Sequence, residues 1–262
     1  MERIGRRLQW LHAALVLIFL YAPIAVLVLF SFNSSRLNVM WEGFTLDWYR
    51  EAALDRQILR SLRNSLVVAS ISTVVSTILG TLTAFVLARY RFPGKRVLEG
   101  VLYIPIILPE IVMGISLLAF FTTVGMRLGI TTISIAHITF CIAFVALVVR
   151  ARLHGFDRTL ERAAMDLGAS PWVTFRRITF PLVAPGIWAG AVIAFTLSLD
   201  DVIITFFTAG AGSTTLSLYV FSMVRLGVSP KVNALTTVIL VVTFAVVGLV
   251  ARGIYLSSSR RA

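Results

Sequence analysis

Long apolar runs alternate with short polar stretches from one end of the chain to the other, and the runs are bilayer-sized. Six are found, at about 11–32, 64–88, 97–122, 132–149, 185–207 and 233–251. Each is close to the roughly 20 residues a helix needs to cross a hydrocarbon core of about 30 Å, so six transmembrane helices are expected. Pro23 falls inside the first run and is expected to kink it, and Pro105 and Pro109 break the third just before Glu110. The second run carries Ser65, Ser70, Ser72, Thr73, Ser76, Thr77, Gly80, Thr81 and Thr83. Small and hydroxylic residues of this kind let helices approach closely and hydrogen-bond across their interfaces.

Two polar stretches are long enough to have structure of their own. From Asn33 to Arg63 the charges are mixed, and Leu46, Tyr49, Ala53, Ile58 and Leu62 recur at roughly helical spacing beside Trp41 and Trp48. That pattern predicts an amphipathic helix on the outer membrane surface, anchored by its tryptophans. The second stretch, Asp157 to Ile187, is a polar island between two apolar runs and must face water. Its order predicts a short helix over Leu160–Leu167 stopped by Gly168, a second helical start at Pro171, and a return into the bilayer led by Pro181 and Pro185.

Composition sharpens this to an all-α integral membrane protein with one membrane domain spanning residues 1–262. Of the 262 residues 58% are hydrophobic and 14% charged, and the mean hydropathy is +0.91; soluble domains carry about 25% charge. A net charge of +12 raises nucleic acid as a partner, but basic residues at the ends of apolar runs are explained first by membrane orientation. Arg3, Arg6 and Arg7, the turn Arg89, Arg91, Lys95 and Arg96 around Pro93-Gly94, the loop with Arg150, Arg152, Arg158, Arg162, Arg176 and Arg177, and the tail with Arg252, Arg260 and Arg261 hold twice as many Lys and Arg as the remaining segments. Both termini and the 150–184 loop are therefore expected in the cytoplasm, the helix near residue 50 on the periplasmic side, and no nucleic acid as partner. The first run exceeds the 7–15 apolar residues of a signal peptide and lacks its cleavage pattern, so it is expected to be retained. Cys141 has no partner in the chain for a disulfide.

Recognisable catalytic chemistry is missing. His12, His137 and His154 are scattered, and there is no His-Glu-x-x-His, no Gly-x-Ser-x-Gly and no phosphate-cradling Gly-x-x-x-x-Gly-Lys. No metal or cofactor and no ATP hydrolysis by this chain are expected. The acids within the runs are the notable exceptions. Asp200 and Glu110 fall roughly 22 Å and 20 Å into their spans at 1.5 Å per residue, and Asp201 follows Asp200. A carboxylate facing lipid is costly and the two adjacent aspartates cannot share one direction, so at least one of them should face the bundle or a water-filled path, and with Glu110 they are candidates to guide a cation; alternatively they pair with Arg225 or Arg127, or reach the headgroups.

The polar island also carries a likeness. Ala163, Ala164, Gly168, Ile178 and Pro181 are spaced as in the EAA loop of permease subunits of bacterial ATP-binding-cassette importers, where Glu-Ala-Ala is followed after three residues by Gly and, nine further on, by Ile-x-Leu-Pro. Here Arg162 stands at the glutamate position with Glu161 one residue earlier, and Phe180 stands where Leu is usual. The resemblance implies a coupling helix that docks on a cytoplasmic ATPase through Glu161, Arg162, Ala163, Ala164, Asp166, Gly168, Ala169, Ser170 and Pro181.

A narrower resemblance covers nearly the whole chain. Phe-Thr-Leu-Ser-Leu-Asp-Asp-Val at 195–202, Gly-Ser-Thr-Thr-Leu at 212–216, Gly227-Val228-Ser229-Pro230, Asp47-Trp48-Tyr49 and Asn64-Ser65-Leu66 look like the second permease subunit of spermidine/putrescine importers. It implies an inner-membrane assembly in which this chain pairs with a homologous permease, an ATPase dimer and a periplasmic or lipid-anchored solute-binding protein, with a polyamine-like solute. Other small solutes, such as an amino acid derivative or ferric iron, remain open within the same family. An ion-coupled secondary transporter is disfavoured because the sequence shows no internal repeat, and an intramembrane enzyme because no nucleophile-base or metal constellation occurs.

Overall fold

The structure, a computed structural model, describes residues 2–35, 40–227 and 229–259. Arg260 and Arg261, used above in the charge argument, and Val228, quoted in the resemblance, lie outside the described residues. The described residues are helical apart from short connections and one isolated bridge, Asn33 with Phe44. The chain divides into two units, Met1–Leu59 with Val220–Ala262, and Arg60–Tyr219.

In the first unit, α1 (Glu2–Phe30) runs through Pro23 without ending. The polar stretch that follows is not one amphipathic helix. Its first part is a compact loop around the buried Asn33, whose Nδ2 donates to the Met40 carbonyl at 2.7 Å while its Oδ1 accepts from the Glu42 amide at 3.0 Å. Trp48 belongs to this loop, donating from Nε1 to the Asn33 carbonyl at 2.8 Å. Of the amphipathic helix expected here, α2 (Asp47–Leu54) forms only the first part. It stops at Asp55, which is extended and whose carboxylate accepts from the amides of Gln57 and Ile58 at 2.8 and 3.3 Å, so that it caps α3 (Arg56–Arg89). The reason is local: an Asx cap competes with continuation of the helix and wins. Asp55 also forms an ion pair with Lys231 at the start of α12 (Pro230–Ser259).

The second unit is built around α6 (Ile130–His154), whose Ile133, Phe140, Cys141, Val145 and Val149 are buried. Four further helices precede the unit's last segment: α4 (Lys95–Ile107), α5 (Glu110–Thr123), α7 (Thr159–Asp166) and α8 (Pro171–Thr174). A π-turn, Phe175–Thr179, joins α8 to α9 (Phe180–Asp200), and α10 (Ile203–Thr208) and α11 (Leu216–Leu226) follow. Close packing of α3 on α6 depends on Gly80, where an added Cβ would lie 2.7 Å from Val145 Cβ. Nearby, Ser72 Oγ donates to the Ser134 carbonyl at 3.3 Å, one of the cross-helix bonds the hydroxylic second run led us to expect.

Two expected spans change shape. Residues 97–122 do not form one straight crossing: α4 and α5 meet at 111°. Leu108, forced out of the helical region by the following proline, and Pro109, which has no amide proton, are both extended (ψ 139° and 135°). The run 185–207 is likewise interrupted, because α9 begins earlier and ends at Asp200, with Asp201 extended at ψ 131°. Among the described residues, four helical stretches are long and apolar enough to cross a membrane, Gln9–Phe30, Arg56–Arg89, Ile130–His154 and Pro171–Asp200, and the bent pair makes a fifth if counted as one span. Leu216–Arg225 and Pro230–Ala245 are shorter apolar helices; the side chains of 246–251, the end of the sixth run, lie outside the described residues.

Candidate coupling loop and intramembrane polar cluster

The loop is built by helix-end chemistry written in its sequence. Asp157 Oδ1 accepts from the Thr159 amide at 2.9 Å as α7 begins, and that bond holds its carboxyl below the usual carboxylate range. At the other end the Gly168 amide donates to the Met165 carbonyl at 2.9 Å and the Ala169 amide to the Ala164 carbonyl at 3.0 Å. This is a Schellman turn, and Gly168 supplies the left-handed conformation it requires, at φ 87°. Two residues later Ser170 Oγ accepts from the Val173 amide at 3.4 Å and Pro171 occupies the first helical turn, so a second helix starts at once. Pro181 then sits at the head of α9; its missing donor and its ring disturb the preceding turn, which is π-helical.

The two helix ends present an outward face that is apolar for a water-facing loop. Leu167 is 90% exposed and Trp172 68%, with Met165 also exposed; Arg162, Ala163, Asp166, Gly168, Ser170 and Pro181 are exposed beside them, and Ala164 and Ala169 are half-buried. Glu161 departs from the sequence expectation. It is 8% exposed and turned into the chain, where it forms an ion pair with Arg89, the last residue of α3, and accepts a hydrogen bond from Thr179. Residue 162, the usual glutamate position, therefore faces out as an arginine while the neighbouring acid faces in. Neither Arg89 nor Thr179 stood out in the sequence, since Arg89 read only as part of a basic turn.

The three acids expected along a solute path also separate. Asp201 is buried in a polar cluster that joins α6 to the α9–α10 break: His137 Nε2 lies 3.2 Å from Asp201 Oδ2 and 3.1 Å from Thr205 Oγ1, and His137 Nδ1 lies 2.7 Å from Ser198 Oγ. The same carboxylate accepts from the Thr205 amide at 2.7 Å and from its hydroxyl at 2.8 Å. Its partner is thus His137, and neither Arg127 nor Arg225. Asp200, one residue earlier, is exposed, and so is Glu110 at the first position of α5 beside the bend. Among the described residues neither of these two forms an ion pair. No group of three His, Cys, Asp or Glu among the described residues is placed to hold a metal ion.

With this geometry in view, comparison with known proteins gives the class. The chain belongs to the family of binding-protein-dependent transport system inner membrane components, which residues 76–262 match. It is thus a permease subunit of an ATP-binding-cassette importer in the inner membrane. It is 43% identical over 244 residues to the spermidine/putrescine transport system permease protein PotC of Escherichia coli (strain K12), covering 93% of this chain and 92% of that one. To the putrescine transport system permease protein PotI of the same organism it is 44% identical over 229 residues, covering 85% of this chain and 82% of that one. Among solved structures, a chain of a bacterial transporter that imports the acidic polysaccharide alginate superposes with a TM-score of 0.76 at 16% identity, covering 96% of both chains; at that identity the likeness concerns the fold.

Proposed function

We propose that this chain forms half of the translocation pathway of an importer for spermidine, putrescine or a similar small polycation. It has no catalytic site, and ATP is hydrolysed by a separate dimeric ATPase. A homologous second permease completes the pathway, and a periplasmic or lipid-anchored solute-binding protein delivers the solute. The observation that carries this reading is the outward face at the Schellman turn, where Leu167 and Trp172 are presented on a loop that basic residues hold in the cytoplasm. Six spans with both termini cytoplasmic accord with the charge distribution, the α4–α5 pair and α12 then counting as spans. Identity above 40% to two polyamine permeases supports the solute class, and the exposed Asp200 and Glu110 supply acids suited to a cation.

The test is uptake of radiolabelled putrescine and spermidine by vesicles holding the chain with its ATPase, second permease and receptor, against the same vesicles lacking this chain. ATP-dependent uptake that requires the chain and is unaffected by proton and sodium ionophores is expected. In the same preparation Gly94→Cys should resist a membrane-impermeant thiol reagent applied from the periplasmic side, and labelling there would overturn the orientation.

A further inference from the structure

The polar loop between α6 and α9 contains a buried carboxylate, and it joins three elements at one oxygen. Glu161 Oε1 on α7 is held by the Arg89 guanidinium from the end of α3 and by the Thr179 hydroxyl from the π-turn that opens into α9. Burying a lone carboxylate is expensive, so an acid in a segment free to face water is held inward only by partners that outbid hydration. Further contacts converge on the same point. Arg158 donates to the Ala88 carbonyl at 3.0 Å, satisfying a free carbonyl in the last turn of α3. The Arg89 guanidinium also lies 5.3 Å over the Phe85 ring, which meets Phe175 of the π-turn edge-on at 5.7 Å.

We propose that Arg89 is a positioning residue for energy coupling: through Glu161 and Thr179 it staples α7 to α3 and to the head of α9, so that force applied at the loop moves two spans together. The proposal rests on reading the loop as the ATPase-docking surface, but it concerns the inward-turned Glu161 and its partners, on the side of α7 away from the exposed Leu167 and Trp172. Without the staple, α7 is tethered to α6 by residues 155–158, which include Gly155, to α9 through the turn at Gly168, and to α3 by the exposed hydrogen bond of the Arg158 side chain. A displacement of α7 would then be taken up largely in those connections and would reach α3 only weakly. Coupling needs a physically continuous element with two arrangements, and the staple supplies the continuity.

The experiment uses the complete reconstituted importer and measures three quantities on each variant: ATPase subunits retained on purification, ATP hydrolysis with loaded receptor, and spermidine uptake. Arg89→Glu sets two acids against each other. It should retain the ATPase subunits, keep hydrolysis within about twofold and lower uptake about tenfold, the size expected when a coupling residue is lost. Arg89→Glu with Glu161→Arg restores the pair in reverse and should recover most of the uptake, which a merely misfolded loop would not do. Unchanged uptake in Arg89→Glu overturns the proposal. Loss of the ATPase subunits in Arg89→Glu overturns it too, because the pair would then serve docking or folding, while the docking reading survives. Gly168→Asp with normal uptake would instead defeat the docking reading itself.

Discussion

The loop at α7 and the break at the end of α9 solve the same problem with opposite results. In the loop the surroundings are water, and of the neighbours Glu161 and Arg162 the acid turns in and the base turns out. At the break the surroundings are a packed helix bundle, and of the neighbours Asp200 and Asp201 the second is locked to His137 while the first is left exposed. Successive positions on a helix differ by about 100°, which separates Glu161 from Arg162 on α7, whereas Asp201 parts from Asp200 because the backbone leaves the helix there, at ψ 131°. In both regions the inward acid ties elements together, and its neighbour is exposed.

The contrast fails first, if it fails, at Asp201. Asp201→Ala strips His137 and Thr205 of a shared buried partner and should destabilise the purified subunit by about 3 kcal/mol or more, whereas Asp200→Asn should change stability by no more than about 0.5 kcal/mol. Thermal melting of the two variants in one detergent decides the matter, and equal melting temperatures would erase the distinction.

Next in size is the loop. Gly168→Asp forces a side chain into a φ of 87° at a cost of about 1 kcal/mol and places a carboxylate on the docking face. Uptake should fall about tenfold, as for other coupling lesions, with fewer ATPase subunits recovered on purification. A milder effect is expected at the free acids. Asp200→Asn and Glu110→Gln should each lower the initial rate of putrescine uptake about threefold at low salt, with the deficit shrinking as ionic strength rises, because the action proposed for them on a cation is electrostatic. A deficit independent of salt would reassign them to packing.

The smallest effect calibrates the others on an ion pair outside both regions. The Lys231 ammonium, bonded to the Asp55 carboxylate, holds that carboxyl below its ordinary range against the opposing effect of burial. A lowered pKa means the stabilisation is complete above the unfolded-state value and is lost as pH falls through the folded one. Asp55→Asn should therefore melt below the wild type at pH 7 by under about 1 kcal/mol, and the gap should close only below about pH 4.

What could be read beforehand follows the range of each interaction. The helix stop at Gly168, the helix start at Pro171 and the proline break at 109 depend on residues within a few positions of one another, so the sequence displayed them. The Asx cap at Asp55 was local too, but the helical spacing of the apolar residues on either side masked it. Glu161 with Arg89 and Asp201 with His137 bring together positions 72 and 64 apart. No periodicity connects such pairs, and so three acids that looked equivalent as pathway candidates divide into one that is bonded and two that are exposed and form no ion pair among the described residues.

The capping carboxylate of Asp201 also acts as a ruler. Because it fixes where α9 stops, the register of that helix is measured from its far end, and the identity of the free acid is decided by a count of one. Inserting a single residue between Ser198 and Asp200 would keep every side chain in the segment yet turn the helix by about 100° against its anchor, so that Asp200 and Asp201 would compete for His137. This short tract should accordingly tolerate changes of residue far better than changes of spacing.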